Sequence, residues 1–219
     1  MKLSYPQRNL LRRLLIGGTA VFVSIAAYSS YQAVRNLTLE SLKKNALLEV
    51  QQGANSIDNW LLNLKVHVQT LANLPVVRSM NWEAAAPYLE TEVLRFADVS
   101  GIAIAGRDGW RNVTGGKRAY VGDRSFFKKA MAGQTNVSDP LISRVAGLPS
   151  IVVGTPIRQE FSIAVAPVGE LHTVVKLNRI TQVVNQLKYG DNSYAFALNS
   201  KGEAIVHPQT LLSTPEQTT

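Results

Sequence analysis

Two Ser-x-x-Lys tetrapeptides are the residues of this chain whose types and spacing could perform covalent chemistry. They pair Ser41 with Lys44 and Ser125 with Lys128, the spacing at which acyl-transferring enzymes place a serine nucleophile and a lysine. The Lys-Thr-Gly element that accompanies this motif in those enzymes is missing from the sequence. Because such a tetrapeptide arises easily by chance in a lysine-rich chain, we do not expect acyl transfer.

Other catalytic and metal-binding patterns are missing as well. The 219 residues contain no Gly-x-x-x-x-Gly-Lys loop, no cysteine and no paired histidines, so the sequence encodes neither a phosphate loop nor a common zinc ligand set. His67, between Val66 and Val68, is expected to be a packed or solvated helix residue. The sequence therefore indicates binding rather than catalysis, with no cofactor and no metal.

The charge of the chain is concentrated at its N-terminus. Five of the 23 basic residues lie within the first 35 positions, and the first acidic residue is Glu40. Residues 36–219 then carry 18 basic and 15 acidic side chains, so the net charge of +8 falls to +3 for this part. A surface that binds nucleic acid is not indicated. A hydrophobic content of 46% excludes a disordered chain.

Residues 14–34 form an uncharged stretch, LLIGGTAVFVSIAAYSSYQAV. As a helix it would be about 31 Å long, enough to cross a hydrocarbon core of about 30 Å. A cleavable signal peptide is the alternative, since the last third is polar and small residues near Ser24 could serve as a cleavage site. A retained transmembrane helix is favoured because the helical pattern continues through Arg35.

A long helix is predicted to follow the membrane span. Apolar residues recur in steps of four and three, which places them on one stripe, and the pattern stops at Asn73-Leu74-Pro75. Residues 35–74 would make a stalk of about 60 Å. The stripe fits either a dimer seam or a face packed on the domain that follows. It consists of Val50, Ala54, Ile57, Leu61, Leu64, Val68 and Leu71.

The rest of the chain alternates between short helices and strands. Asn81 can cap a helix over 82–97, in which Pro87 would require an irregular first turn or a restart. Strands are predicted at 101–105 and 110–114 around a turn at 107–109, then at 162–166 and 171–177, in a sheet of five or six antiparallel strands. A short helix is predicted at 179–187, a turn at 189–192, and a hairpin that pairs 193–198 with 203–206.

The stretch 120–157 carries the densest set of structural signals. Asp123 is predicted to cap a short helix that ends at Ala132-Gly133, where glycine supplies the left-handed stop. A strand over 137–144 should then pair with a strand over 150–157 across a turn of about four residues. Pro156 predicts that the second strand ends there or lies at an edge.

This stretch resembles the membrane-distal module of double Cache extracellular sensor domains, which occur in sensor kinases, diguanylate cyclases and chemoreceptors. The resemblance extends over roughly residues 35–208 and implies an α+β fold with a PAS-like antiparallel sheet. The residues that carry it are Asp123, Arg124, Phe127, Ala130 and Gly133, then Val137 to Pro140, Ser143, Arg144, Gly147, Pro149 and Thr155 to Ile157.

The resemblance implies a division of the chain. We expect a cytoplasmic tail at 1–13, a transmembrane helix at 14–34, a stalk helix at 35–74, a distal Cache module at 75–180, and at 181–219 a connecting helix with the start of a membrane-proximal module. The last hairpin resembles the opening of that second module, so we expect the N-terminal part of a larger receptor. Where the family has a glycine-turned hairpin, this chain has RQEF at 158–161.

The resemblance also implies a ligand site on the short helix and the strands around it. In amino-acid sensors of the family, an arginine and an aromatic hold the ligand carboxylate, and a downstream aspartate holds its amine. Arg124 and Phe126 match the first pair, whereas Lys176 stands in the place of the aspartate. We therefore expect a ligand with one or more carboxylates and no amine, or another small anion. The candidate site residues are Arg124, Phe126, Tyr120, Trp110, Ser143, Arg144 and Lys176.

The predicted function is extracytoplasmic sensing of a small molecule by a membrane receptor. Ligand binding in the distal module would be transmitted through the stalk helix of a homodimer, with the sensing region in the periplasm or outside the cell and no enzymatic activity in this part. Two rival classes are a membrane-anchored module that binds a partner without a small ligand, and a membrane-tethered enzyme.

We predict that the N-terminus is cytoplasmic and that residues 36–219 lie outside the membrane. Four basic residues precede the apolar stretch and Arg35 alone stands directly after it, and positive residues are retained on the cytoplasmic side. A periplasm-dependent reporter enzyme fused after Thr219 should be active. Activity of a cytoplasm-dependent reporter at the same position would contradict this topology.

Overall fold

The computed structural model describes residues 5–144, 147, 149–160, 165–187 and 193–206. Residues 162–164 of the strand expected at 162–166, the turn expected at 189–192 and the tail from 207 onward lie outside the described residues. The chain separates into two compact units, 1–49 and 50–219.

A single long helix, α1 (Tyr5–Ala72), opens the chain and ends at the predicted position. In the first unit it contains a window of 18 residues with a mean hydropathy of 1.6, none of it buried, which makes it a candidate membrane span by length and composition. In the second unit, Leu64, Val68 and Leu71 are buried in the core. The upper half of the predicted stripe is therefore a face packed on the domain.

Gly53 lies on the same helix and has a packing role. A Cβ atom at this position would lie 2.9 Å from Cδ1 of Leu187. The absence of a side chain at Gly53 thus lets Leu187, which follows a later helix, approach the helix axis.

Seven strands in the described part of the chain form one sheet in which every pairing is antiparallel. Their spatial order is β3-β2-β1-β7-β6-β4, with β5 also paired to β6. The strands are β1 (Val99–Gly106), β2 (Trp110–Val113), β3 (Ala119–Tyr120), β4 (Asn136–Val137), β5 (Leu141–Ile142), β6 (Pro149–Ile157) and β7 (Gly169–Lys176).

The hairpin predicted at 137–157 exists, but its first strand is split. β4 pairs with Val153 and Gly154, and β5 pairs with Pro149 and Ser150. Between them the Ser138 N–H still donates to the carbonyl of Val152 over 2.8 Å. The ladder is interrupted at 139–140, where Pro140 has no N–H to donate. β6 ends one residue after Pro156, beyond the residues that β4 reaches. The prediction of one continuous strand over 137–144 was wrong.

The pairing of β6 with β7 is regular despite the departure from the family at 158–161. Eight residue pairs run from Ser150 with Lys176 to Ile157 with Gly169. The ladder closes with a hydrogen bond that the Val168 N–H donates to the carbonyl of Ile157, over 2.8 Å. Residues 158–160, the described part of the segment that differs from the family, therefore follow β6 and are not part of the sheet.

The sheet is buried on both faces. One face packs on α1 together with α2 (Pro75–Arg78), α3 (Trp82–Arg95) and α5 (Asn178–Gln186), around Val153 of β6 and Val175 of β7. The opposite face packs on α4 (Ser125–Met131), around Val152 and Val174. Because neighbouring residues of a strand point to opposite faces, β6 and β7 contribute to both layers.

Helix α3 begins as predicted, since Oδ1 of Asn81 accepts a hydrogen bond from the N–H of Ala84 over 3.3 Å. The helix continues through Pro87 without a restart, contrary to expectation. The N–H that proline lacks would have bonded to the carbonyl of Glu83, an exposed residue of the first turn, where water can replace it.

His67 connects α1 to α3. Its ring lies 4.5 Å from that of Phe96, and its Nε2 lies 3.3 Å from Oε2 of the buried Glu92. Burial lowers the pKa of His67 and the Glu92 carboxylate opposes that shift. The residue is a packed helix residue, as predicted.

The last hairpin is formed by β8 (Ala197–Leu198) and β9 (Ala204–Val206). Val206 is buried in the core. On the other side of the hairpin, Asp139 accepts hydrogen bonds from the backbone N–H of Ser200 at 3.2 Å and from its hydroxyl at 2.8 Å. The segment between β4 and β5 is thus tied to the hairpin.

We predict that Leu89→Ala lowers the free energy of unfolding by about 2–5 kcal/mol, because it leaves a cavity where α3 packs on β1. Leu94→Ala is the matched control on the same helix. Leu94 is 87% exposed and Leu89 is 0% exposed, so the control should change stability by at most about 0.5 kcal/mol. Denaturant unfolding of the full chain in detergent, followed by tryptophan fluorescence, measures both. Equal losses would show that α3 is not packed as described.

Candidate ligand-binding site

A small cavity lies between α4 and the sheet, on the face opposite α1. Its volume is about 20 Å³, room for about one water molecule. Three of the residues around it are arginines, and most of the remaining walls are apolar. It is lined by Arg111, Val121, Arg124, Phe126, Leu141, Ser143, Arg144, Val152, His172 and Val174.

The start of α4 differs from the prediction. The N-cap residue is Arg124, and the prediction that Asp123 caps the helix was wrong. Asp123 instead accepts two hydrogen bonds from the Arg144 guanidinium, from Nη1 to Oδ1 at 2.9 Å and from Nη2 to Oδ2 at 2.6 Å. This bidentate pair uses the fork geometry for which arginine is suited, and it holds Asp123 away from the helix N-terminus.

Arg144 lines the cavity, and besides its pair with Asp123 its Nη1 donates to the carbonyl of Tyr120 over 2.7 Å. The hydrogen bond from Arg144 lowers the pKa of the Asp123 carboxyl, and the same bond raises the pKa of Arg144. Both side chains are more than two-fifths exposed, and exposed ion pairs contribute about 0.2–1 kcal/mol. The pair can therefore open at little cost in free energy.

Arg124 lines the cavity without such a partner. Within the described part of the chain its guanidinium forms no hydrogen bond and no ion pair, and it is half-buried. Burial lowers the pKa of Arg124, Arg144 lowers it further, and only Asp123 acts in the opposite direction. The arrangement leaves a cation next to a small cavity with its charge uncompensated.

A buried chain of polar groups lies beneath the cavity, and the sequence analysis missed it. Nη1 of Arg111 lies 2.9 Å from Nε2 of His172, and Nδ1 of His172 lies 2.7 Å from Oε2 of Glu170. These three residues are 3%, 0% and 0% exposed, respectively. The available signal was the spacing of Glu170 and His172, which lie two residues apart at the start of the strand predicted at 171–177, because charged residues are rarely buried without partners.

Gly154 leaves space for this chain, and Phe126 packs beside it. A Cβ atom at Gly154 would lie 2.7 Å from Oε1 of Glu170, so only glycine fits opposite His172. The ring of Phe126 lies 5.1 Å from that of His172. Phe126 lines the cavity and Phe127 does not, and both belong to the apolar cluster on this face of the sheet.

The cavity brings together four of the predicted site residues, Arg124, Phe126, Ser143 and Arg144. Trp110 and Tyr120 do not line it. Their rings meet edge to face at 5.6 Å on the exposed edge of the sheet, and Arg118 lies 5.2 Å from the centre of the Trp110 ring.

Lys176 does not line the cavity either. It is the last residue of β7, paired with Ser150, and its N–H donates to the carbonyl of Asp98 over 2.9 Å. It shares a strand face with His172 and Val174 but lies one step beyond the cavity wall.

No protein-family model matches this sequence. A curated relative, the methyl-accepting chemotaxis protein PscA of Pseudomonas syringae pv. tomato, is 23% identical over 229 residues, which cover 96% of this chain. The chain spans about a third (33%) of the length of that relative.

Solved structures show the same fold. The ligand-binding domain of the Pseudomonas fluorescens chemoreceptor CtaA, in complex with L-isoleucine, has a TM-score of 0.62 at 21% identity, covering 80% of this chain and 72% of that one. The corresponding domain of Campylobacter jejuni Tlp3, in complex with 4-methylisoleucine, has a TM-score of 0.62 at 14% identity, with 80% and 75% covered. That of Pseudomonas aeruginosa PctB, in complex with L-Arg, has a TM-score of 0.60 at 23% identity, with 72% and 62% covered.

The chain therefore has the fold of bacterial chemoreceptor ligand-binding domains. The predictions of an α+β fold, a long N-terminal helix and an antiparallel sheet of the Cache sensor type are confirmed.

We predict that Gly154→Ala destabilises the protein by about 1–3 kcal/mol, because the new methyl group overlaps the buried Glu170 carboxylate. Shortening that side chain in Gly154→Ala/Glu170→Asp should recover part of the loss. Glu170→Asp alone is the control, since it lengthens the contact with His172. Denaturant unfolding of the four proteins gives the coupling energy, and strictly additive losses would contradict the overlap.

Proposed function

We propose that this chain is the extracytoplasmic small-molecule-sensing region of a membrane signal-transduction receptor. The observation that carries the proposal is the cavity beside α4, where the Arg124 guanidinium lacks a partner within the described residues. It lies in a fold that chemoreceptor ligand-binding domains also have. Arg124 is a cation without a counterion in the described part of the chain, and it lies beside a cavity whose outer wall can open. Such a group is suited to bind an anion.

We propose a ligand that carries one or more carboxylates and no ammonium group, or another small anion, held by Arg124. No acidic side chain is among the residues that line the cavity in the described part of the chain. An ammonium group would therefore meet arginines where it needs a carboxylate, and like charges repel strongly at partly buried distances. CtaA and PctB, by contrast, were crystallised with amino acids, so an amino acid is the rival ligand.

Opening of the cavity supplies a route for the signal. A ligand larger than the cavity must displace side chains on its outer wall, and α4 packs on β6 and β7, which pack on α1 from the other face. We propose that ligand binding shifts α1 between two arrangements in a homodimer anchored by residues 14–34 in the cell membrane. The divisions at 13, 34, 74 and 180, and a ligand contact by Lys176, remain predictions.

Isothermal titration of the full chain in detergent tests the ligand class. Organic acids should bind more tightly than the amino acids of matched carbon skeleton. Arg124→Ala should weaken organic-acid binding by about tenfold or more, since it removes a charged hydrogen-bond donor. Arg118→Ala is the control, because Arg118 lies over Trp110 outside the cavity.

Two results would contradict parts of this proposal. Tight binding of a free α-amino acid, or undiminished organic-acid binding by Arg124→Ala, would overturn the ligand class. A broad metabolite screen in which no compound raises the melting temperature would overturn small-molecule sensing itself, because binding to the native state must stabilise it.

A further inference from the structure

Arg111 has a donor that the protein leaves unused. Its side chain is 3% exposed and lines the cavity. Its Nη1 donates to His172, whereas its Nε–H has no acceptor among the residues described by the structure. Buried donors in native proteins nearly always have a partner, so the missing acceptor points to a group that enters the cavity.

The polar chain beneath Arg111 fixes its orientation and its charge. A guanidinium only donates, so Nε2 of His172 must accept. Nδ1 then carries the proton and donates to the Glu170 carboxylate. A neutral imidazole thus separates a buried cation from a buried anion, and the fork of Arg111 is held in one place. Burial lowers the pKa of Arg111 and Glu170 counteracts that shift.

The charges around the cavity set the charge of the ligand. Arg111, Arg124 and Arg144 are cationic, Asp123 and Glu170 are anionic, and His172 is neutral in this arrangement. One positive charge is therefore left over. A single carboxylate would neutralise the site, whereas a second carboxylate would leave a negative charge where burial makes it costly.

The walls set the rest of the ligand. Val121, Phe126, Leu141, Val152 and Val174 surround the arginines, and apolar walls favour a ligand body without polar groups. The small volume of the cavity favours a short one.

We propose that the site takes a small monocarboxylate with a short apolar chain, and that Arg111 binds the carboxylate from beneath while Arg124 binds it from the outer side. His172 and Glu170 are positioning residues that orient Arg111. This proposal rests on the proposed sensing function and narrows its ligand from acids in general to one class.

Titration calorimetry on the full chain in detergent, with butyrate and three matched compounds, tests the ligand. Butyramide removes the charge, 2-aminobutyrate adds an ammonium group, and succinate adds a second carboxylate. Butyrate should bind, and each of the other three should bind about tenfold more weakly or worse, because each loses a charge-assisted hydrogen bond or adds an unpaired charge.

Two variants test the residues. Arg111→Lys keeps the charge but loses the fork and the Nε donor, so butyrate binding should fall by about tenfold or more, while Arg118→Lys leaves it unchanged. Glu170→Gln keeps an acceptor for His172 and removes one negative charge, so the preference should shift from butyrate towards succinate. Such a gain cannot come from a misfolded protein.

The outcomes separate this inference from the sensing function. Equal affinity for butyrate and butyramide, unchanged binding by Arg111→Lys, or no shift towards succinate in Glu170→Gln would each overturn the assignment and leave small-molecule sensing standing. A metabolite that stabilises the chain while butyrate does not bind would also overturn it. Only the absence of any stabilising metabolite would remove the sensing function as well.

Discussion

A sheet covered on both faces leaves its polar side chains without water, and this constraint organises the domain. β7 carries Glu170 and His172 into that dry layer, where neither can remain unpaired without a large cost in free energy. A continuous chain from Arg111 through the imidazole to Oε2 of Glu170 pairs both residues, while Oε1 of Glu170 has no partner among the described residues. Gly154 follows from the same constraint, because any side chain there would occupy the place of the Glu170 carboxylate.

One face of the sheet carries the main apolar core, and the other carries the cavity. On one face, α1, α3 and α5 form a continuous apolar core, and the contact between His67 and Glu92 links the first two of these helices. On the other face, α4 and the segments around β3 and β5 cover less of the sheet and leave the cavity. β6 and β7 send alternate residues to both faces, so the two layers share these strands.

The ion pair between Asp123 and Arg144 determines what Arg124 can do. If Asp123 capped α4, Arg144 would lose its carboxylate partner and keep the hydrogen bond that it donates to the carbonyl of Tyr120 over 2.7 Å. With the Asp123–Arg144 pair formed, Arg124 takes the N-cap position and its guanidinium stays uncompensated. Arg124 and Arg144 thus differ in that Arg144 has a carboxylate partner, Asp123, and Arg124 has none among the described residues.

Local patterns in the sequence were sufficient for most of the elements. The uncharged stretch before Arg35, the stripe through Leu64 and Val68, the Asn81 cap and the stop at Gly133 all depend on residues a few positions apart, so their physics is already present in the unfolded chain. The resemblance around Arg124 gave the fold type and four of the residues that line the cavity.

What the tertiary structure alone decided are the long-range partnerships. Asp123 had a helix N-terminus next to it and Arg144 21 residues away, and only the fold brings the guanidinium to 2.6 Å from the carboxylate. Arg111 and His172 are 61 residues apart, so no local pattern joins them. Lys176 and Trp110 have suitable side chains but do not line the cavity, because strand register decides which residues reach its wall. The sequence specifies the chemistry of each side chain, whereas the packing of the folded chain sets the distance between residues that are far apart in sequence.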